Sequence, residues 1–286
     1  MKVTLTGAAG RLGSVFCRHL LDAGHDVRAV DRQFRNDLGT RLEMADVTDP
    51  LVAYRILEDA EALIHLASPS ASRITLDTFG PALSMNMNLF QAAADLGVQK
   101  IVYASSIQAV CGRRRGDEVD QIPSCLSYLP LDGQEPTCPN GLYGLTKVMG
   151  EQQLAYTCRL HGIQGLALRF PYMATDRSMA YASRGSLDEL SPRQLVDDAF
   201  TWLHVDDGGR LINAILLADL PGFRTYTPGT TCPRITASVD QIVARLYPDV
   251  ELRQPISKLT SLVDSSRITR DTGWTPEVNL HAASSP

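Results

Sequence analysis

The sequence predicts an α/β fold: a doubly wound parallel sheet with a small C-terminal α+β lobe. Three observations carry that expectation. Strand and helix signals alternate over residues 1–170, and parallel strands need helical crossovers of this kind. Ala62-Leu63-Ile64-His65-Leu66-Ala67 and Ile101-Val102-Tyr103-Ala104 are largely apolar runs, as expected of strands buried on both faces. The first strand also runs directly into a turn of small residues, Gly7-Ala8-Ala9-Gly10, and from there into a helical pattern.

The elements follow in order. Val3 and Leu5 mark a strand over 2–6. Leu12, Val15, Phe16 and Leu20 fall at helical spacing and Gly24 stops the run, giving a helix over 11–23. Strands are expected at 26–31 and 41–47. Asp49-Pro50 pairs a capping side chain with proline at the first helical position and starts a helix over 50–58. A strand at 62–68, a helix at 77–95 closed by Gly97, a strand at 100–106, a helix at 142–161 and a strand at 165–170 complete the sheet. Residues 171–200 read as loop. A helix from Asp206 to Ala218, a strand Phe223–Thr227, a helix Val239–Tyr247, a strand Val250–Arg253 and a short helix near 264–272 follow, then a frayed tail from Val278 to Pro286. The expected division is a nucleotide-binding part over 1–170 and a substrate lobe over 171–286, some of whose elements return to the sheet.

Composition narrows the class. The chain has 286 residues, 44% hydrophobic and 21% charged, which suits one large domain or a domain with a smaller lobe. A net charge of -5 argues against a nucleic-acid backbone binder. Arg113-Arg114-Arg115, the tight basic cluster, reads as a solvated loop or as an anion-binding loop over the site. No apolar run approaches the ~20 residues that span a membrane. The first strand begins at residue 2 or 3, which leaves no room for a signal peptide. Cys17, Cys111, Cys125, Cys138, Cys158 and Cys232 form no C-x-x-C pair and read as reduced thiols of a cytoplasmic protein.

The glycine turn points to a dinucleotide. Gly7, Gly10 and Gly13 lack side chains where the backbone must turn sharply and approach a ligand, and the N–H groups at the helix start favour a pyrophosphate. Gly7, Gly10, Arg11, Leu12 and Gly13 are the expected contacts. Asp31 ends the second strand at the distance expected of the acidic residue that bonds a ribose 2′-hydroxyl. Its carboxylate repels a 2′-phosphate and favours NAD over NADP, whereas the adjacent Arg32 could reach such a phosphate. Asp46 and Val47, ending the third strand, are either adenine contacts or a plain turn.

A second constellation carries chemistry. Tyr143 and Lys147 are four residues apart and share one helix face. A phenol with pKa ~10 is a poor base at neutral pH, but a nearby ammonium and a cationic nicotinamide ring favour the phenolate. Tyr143 could then take a proton from a substrate hydroxyl as hydride leaves the same carbon. Ser105 and Ser106 end the fifth strand, and Ser106 is expected to point into the same cleft. His204 with Asp206 and Asp207 reads as a helix-entry cap, not a metal site, because no partner histidine stands at ligand spacing.

Gly7–Gly13, Asp31, Leu66-Ala67, Ser105-Ser106, Tyr143 with Lys147, and Arg169-Phe170-Pro171 together resemble an extended short-chain dehydrogenase/reductase of the NAD-dependent epimerase/dehydratase family. Trp202-Leu203-His204-Val205-Asp206-Asp207 and Gly273-Trp274-Thr275-Pro276 extend the resemblance over nearly the whole chain. It implies a Rossmann-type fold, NAD as cofactor, Tyr143 as acid/base, Lys147 on the nicotinamide ribose, and Ser106 as substrate orienter. Leu66, Ala67, Ser105 and Pro171 join the implied cofactor contacts, with Ser68, Gln108 and Tyr172 as candidate substrate contacts. Gln108 reads equally as a solvated loop residue. The implied assembly is a homodimer through the 77–95 and 142–161 helices.

The departures bear on the reaction. Ile107-Gln108 stand where dehydratases carry Asp-Glu, Tyr172 where many nucleotide-sugar enzymes carry Asn, Ala82 at the register of a usual Asn, and Cys111 for a frequent Tyr. The expected activity is NAD-dependent oxidation or epimerisation of a sugar or sugar-derived hydroxyl. A uronate-dehydrogenase-like enzyme is a sub-case, weakened because Asp197-Asp198 stand upstream of Trp202 where an arginine is expected. The alternative is a non-catalytic dinucleotide-binding sensor.

Overall fold

The computed structural model describes residues 1–69, 74–111, 125–182, 187 and 198–278. Arg113-Arg114-Arg115, Asp197 and the chain from residue 279 lie outside the described residues.

The first half folds as β1 (Lys2–Thr6), α1 (Arg11–Asp22), β2 (Asp26–Asp31), β3 (Leu42–Met44), α2 (Pro50–Leu57), β4 (Ala62–His65), α3 (Leu76–Asp95), β5 (Lys100–Ser106), β6 (Tyr128–Leu129), α4 (Leu142–His161) and β7 (Gln164–Phe170). The remainder gives β8 (Tyr172–Ala174), α5 (Asp176–Ala182), β9 (Trp202–His204), α6 (Val205–Leu217), β10 (Phe223–Tyr226), α7 (Val239–Leu246), β11 (Glu251–Leu252) and α8 (Ser266–Thr272). The main sheet has seven strands in the order β10-β7-β5-β4-β1-β2-β3, all parallel. From β1 the chain winds outward through β2 and β3, then returns to β4 on the other side. That reversal opens a crevice between the carboxyl ends of β1 and β4, where open α/β sheets bind ligands.

Every residue of β4 and β5 is buried, as their apolar sequences require. Phe16, Cys17 and Leu20 of α1 join one core layer with Leu211, Ile212 and Ile215 of α6, on the face of the sheet opposite to Leu89, Phe90 and Leu154. Asp49 caps α2 by accepting from the Leu51 N–H at 2.8 Å. Lys100, at the start of β5, is buried and ties α6 to the sheet by donating to the Ile215 and Leu216 carbonyls at 2.9 and 3.1 Å.

A separate core joins Ile107, Val110, Leu129 and Leu131 to Phe200, Ile242, Val243, Tyr247 and Leu262. Segments on both sides of Phe170 therefore build the lobe, while β10 is the seventh strand of the main sheet and Trp274 packs in the main core.

Two expectations need correction. The strand expected over 41–47 covers only Leu42–Met44, because it pairs with β2 there and then turns at Asp46, whose carboxylate accepts from the Thr48 N–H and hydroxyl. The stretch 171–200, expected to be loop, contains β8 and α5, and β8 pairs in parallel with β9. Three-residue strands are too short to display a period of two. Among the described residues no helix is long and apolar enough to cross a membrane, and no group of three or more His, Cys, Asp or Glu side chains could hold a metal ion.

Candidate active site

The glycine turn lies on the β1 side of the crevice. Gly7 has φ +75, and a Cβ there would fall 2.7 Å from the Ala67 nitrogen, so the turn packs directly on the segment leaving β4. A Cβ on Gly13 would meet the Gly7 carbonyl and lie 2.7 Å from the Ala8 Cα. Gly10 caps α1 without a side-chain hydrogen bond, so the helix's first N–H groups are open to an anion. Arg11 and Leu12 begin that helix. Asp31 accepts from the Ala9 N–H at 3.0 Å and the Gln33 N–H at 2.9 Å, which ties the end of β2 to the turn.

A cavity of 540 Å³ continues from this turn, and Gly7, Gly10, Asp31, Arg32, Asp46, Val47, Leu66, Ala67 and Ser68 all line it. The Thr48 N–H and hydroxyl hold the Asp46 carboxyl below its usual range. Thr48, Pro81, Ala82 and Met85 line the cavity as well, although sequence reasoning assigned them no contact. Thr48 follows directly on Asp46-Val47, and Ala82 stands at a position already noted, so two of the four carried a signal.

The second half of the site forms where α4 passes the end of β5. Lys147 is buried and its Nζ donates to the Ala104 carbonyl at 2.8 Å. The ammonium stands 5.1 Å from the Tyr103 ring centroid and 5.5 Å from that of Tyr143, between two aromatic faces. Ser106 stands against the Tyr143 phenol and favours its ionised form. Ser106 also accepts from the Gln108 N–H at 3.2 Å, so the turn after β5 fixes its side chain.

The electrostatics modify one expectation. Burial pushes the Tyr143 phenol up, and the Ser106 hydrogen bond pulls it only part of the way back. The lowering expected from Lys147 is not a feature of the protein by itself, because burial pushes that ammonium down to about 7 while Glu151 opposes the fall.

Ser105 is placed elsewhere. Its hydroxyl is buried and donates to Glu151 Oε1 at 2.5 Å, so a cofactor contact from this residue rests on its backbone alone. Pro171 is buried just after β7, Tyr172 is exposed at the start of β8, and Ser68 is exposed and donates to the Pro69 carbonyl. His204 is the N-cap of α6, accepting from the Asp206 N–H at 3.4 Å.

Three side chains near the site were not assigned a role from sequence. Asn86 bridges His65 and the Tyr103 hydroxyl beneath Lys147, with Oδ1 at 3.0 Å from His65 Nε2. Glu151 sits one turn beyond Lys147 and holds Arg169. Arg234 lies 5.8 Å from the Tyr172 ring centroid and is bidentate on the buried Asp198, at 2.6 and 3.0 Å. An arginine thus does reach the neighbourhood of Asp198, from a segment far along the chain.

The sequence profile of the NAD dependent epimerase/dehydratase family matches residues 3–222. The chain belongs to that family. Among curated relatives, NAD-dependent glucose-6-phosphate dehydrogenase of Haloferax volcanii is 29% identical over 225 residues, covering 76% of this chain and 80% of the relative. Uronate dehydrogenase of Pseudomonas syringae pv. tomato is 26% identical over 218 residues, covering 75% and 69%. Among solved structures, MoeE5 in complex with UDP-glucuronic acid and NAD superposes with a TM-score of 0.69 at 23% identity, covering 98% of this chain and 95% of that one, which shows a common fold. As an enzyme of the NAD dependent epimerase/dehydratase family, the chain takes NAD as cofactor. The crevice fits it: without side chains at Gly7 and Gly13 the turn packs tightly against Ala67 and Ala8 at the head of α1, and Asp31 lines the cavity with a carboxylate.

Proposed function

We propose that this enzyme is an NAD-dependent dehydrogenase of a sugar or sugar acid, with Tyr143 as the acid/base. The observation that carries the reading is the meeting of Ser106, Tyr143 and Lys147 at the carboxyl end of β5, beside the glycine turn. Gly7, Gly10, Arg11, Leu12, Gly13, Asp31, Arg32, Asp46, Val47, Leu66, Ala67 and Pro171 would hold the cofactor. Bound there, NAD supplies the two-electron acceptor. Ser106 holds the substrate hydroxyl, Tyr143 takes its proton, and the Lys147 ammonium stabilises the phenolate. Gln108, Tyr172 and Ser68 are the substrate contacts in this reading. Oxidation is favoured over epimerisation because both curated relatives described above are dehydrogenases. Intact Ser106, Tyr143 and Lys147 weigh against a non-catalytic sensor.

The test is to incubate the protein with NAD and a panel of aldoses, aldose phosphates and uronates, following NADH by absorbance, and to measure NAD released on denaturation. Net NADH with an easily emptied site is the expected result. NAD retained through purification with no net NADH would make the enzyme an epimerase, and neither would overturn the reading.

A homodimer through α4 is part of the proposal. Leu145, Met149, Tyr156 and Leu160 are exposed at spacings of four, seven and four, which places them on one stripe of the helix. A monomer by light scattering at micromolar concentration would count against it. A cytoplasmic location is supported by the buried, reduced thiols of Cys17 and Cys158 in the core.

A further inference from the structure

Three consecutive residues of β5 are each tied to α4. The Ala104 carbonyl accepts from Lys147 at 2.8 Å, Ser105 donates to Glu151 at 2.5 Å, and Ser106 stands against the Tyr143 phenol. The first and third ties involve the reacting groups. The middle one is made by Glu151, which is 2% exposed and reaches neither the cleft nor the cofactor cavity.

Glu151 is anchored further on β7. Arg169 donates from Nε to Oε1 at 3.0 Å and from Nη2 to Oε2 at 2.9 Å, a bidentate pair. Nη1 of the same guanidinium bonds the Glu135 carbonyl and carboxylate at 3.0 and 3.1 Å. Glu135 is in turn held by the Thr227 hydroxyl and the Gly133 N–H, both at 2.8 Å. Two buried carboxylates therefore share one buried guanidinium. Buried charges persist only where they are met, and the cation left to meet the surplus is the buried Lys147, one turn back on α4.

We infer that Glu151 is a positioning residue of the catalytic cleft: it locks α4 to the end of β5 through Ser105 and Arg169, and its charge keeps Lys147 an ammonium. The inference rests on the proposed roles of Tyr143 and Lys147. The groups facing Lys147 are Tyr103 from β5, Tyr143 and Glu151 from α4, and the neutral His65 from β4. Among the described residues Glu151 is the anion of this set. Burial drives the Lys147 ammonium down to about 7 and Glu151 is what raises it, in keeping with the geometry.

The test reads Lys147 directly. The lysines of the chain are Lys2, Lys100, Lys147 and Lys258, so ¹³Cε-lysine NMR resolves them, and Lys147→Arg assigns the signal. Glu151→Gln keeps the shape and an acceptor for Ser105 but removes the charge. The Lys147 midpoint should fall by about one pH unit or more in that variant. Ser105→Ala breaks the tie and keeps the charge, so the midpoint should not fall, while NADH formation drops about tenfold with KM for NAD unchanged. A folded Glu151→Gln protein with the wild-type midpoint overturns the inference. If Glu151→Gln does not fold, Ser105→Ala decides, and wild-type turnover there overturns it. Failure of the wild-type protein to oxidise any sugar would sink the proposed function, yet the Lys147 midpoint would still be read.

Discussion

Lys147 is bound to the β5 backbone and not to Tyr143: its Nζ donates to the Ala104 carbonyl at 2.8 Å and stands 5.5 Å from the Tyr143 ring centroid. The strand thus fixes the Lys147 Nζ beside the phenol ring without a bond to its oxygen. The group that favours the Tyr143 phenolate is Ser106, which sits two residues beyond Ala104 on the same strand.

Tyr143→Phe should lower turnover by ~10²–10⁴-fold, the usual size of a general-base contribution, with NAD affinity nearly unchanged. The ring still packs and only the ionisable oxygen is lost. Lys147→Ala should reduce both rate and NAD affinity, and Ser106→Ala should reduce rate alone. Steady-state kinetics with calorimetric titration of NAD check all three. A Tyr143→Phe enzyme with wild-type kcat would move the search for the base to the segment after Phe170.

In the oxidative direction the rate should rise with pH. In the proposed role the phenolate is the base, and burial raises the Tyr143 phenol above its ordinary value, so protonation dominates at neutral pH. The rise is opposed as Lys147 loses its proton, a loss that is half complete near pH 7 because burial pushes that group down to about 7. Bound NAD brings a positive ring to the phenol and should move the rise to lower pH. The profile of kcat against pH, compared with that of kcat/KM, checks this.

Asp31 should make the enzyme prefer NAD to NADP by ~10-fold or more, equivalent to ~1.4 kcal/mol. Its carboxylate is held in place by the Ala9 and Gln33 N–H groups and cannot turn away from a 2′-phosphate without leaving both. Asp31→Ala should narrow the gap, with Arg32 in position to answer the phosphate. Affinities for both cofactors, measured side by side, decide it, and equal affinities in the wild-type protein would remove Asp31 from this role.

Gly13→Ala should destabilise the protein by ~1–3 kcal/mol and weaken NAD binding at the same time. The new methyl would meet the Gly7 carbonyl and the Ala8 Cα, forcing the turn outward. Thermal unfolding with and without NAD measures both effects, and a variant with wild-type Tm and affinity would contradict the geometry.

His65 should make the fold acid-sensitive. It is fully buried between the Thr6 hydroxyl at 2.8 Å and Asn86 at 3.0 Å, and burial lowers it to about 4 from an ordinary 6.5. The unfolded chain then binds a proton that the folded one refuses, so stability falls as pH drops from 6.5 toward 4, by up to ~3 kcal/mol. Urea unfolding between pH 7 and 4.5 should show this slope, and His65→Gln should flatten it.

Much of the site was legible because its signals are local. A strand, three glycines and an amphipathic helix are contiguous in the chain, and Tyr143 and Lys147 are four residues apart on one helix. The direction of the Ser105 side chain could have been read from the strand: successive residues face opposite sides, so a Ser106 toward the cleft sends the Ser105 hydroxyl to Glu151. The short strands β8 and β9 were not legible, since three residues cannot establish a period and their pairing joins segments about thirty residues apart.

The sequence by itself determined the strands and helices of the main sheet as far as β7, the turn that opens α1, and the residue types able to move a proton, because each depends on the spacing of neighbours along the chain. The tertiary structure decided which charges meet. Arg169 joins Glu135 to Glu151, Arg234 takes Asp198, and Lys147 is enclosed by Tyr103 and Tyr143. Burial and ion pairing depend on groups that sequence distance does not rank, so the state of a buried ammonium is fixed only when the strands and helices have packed around it.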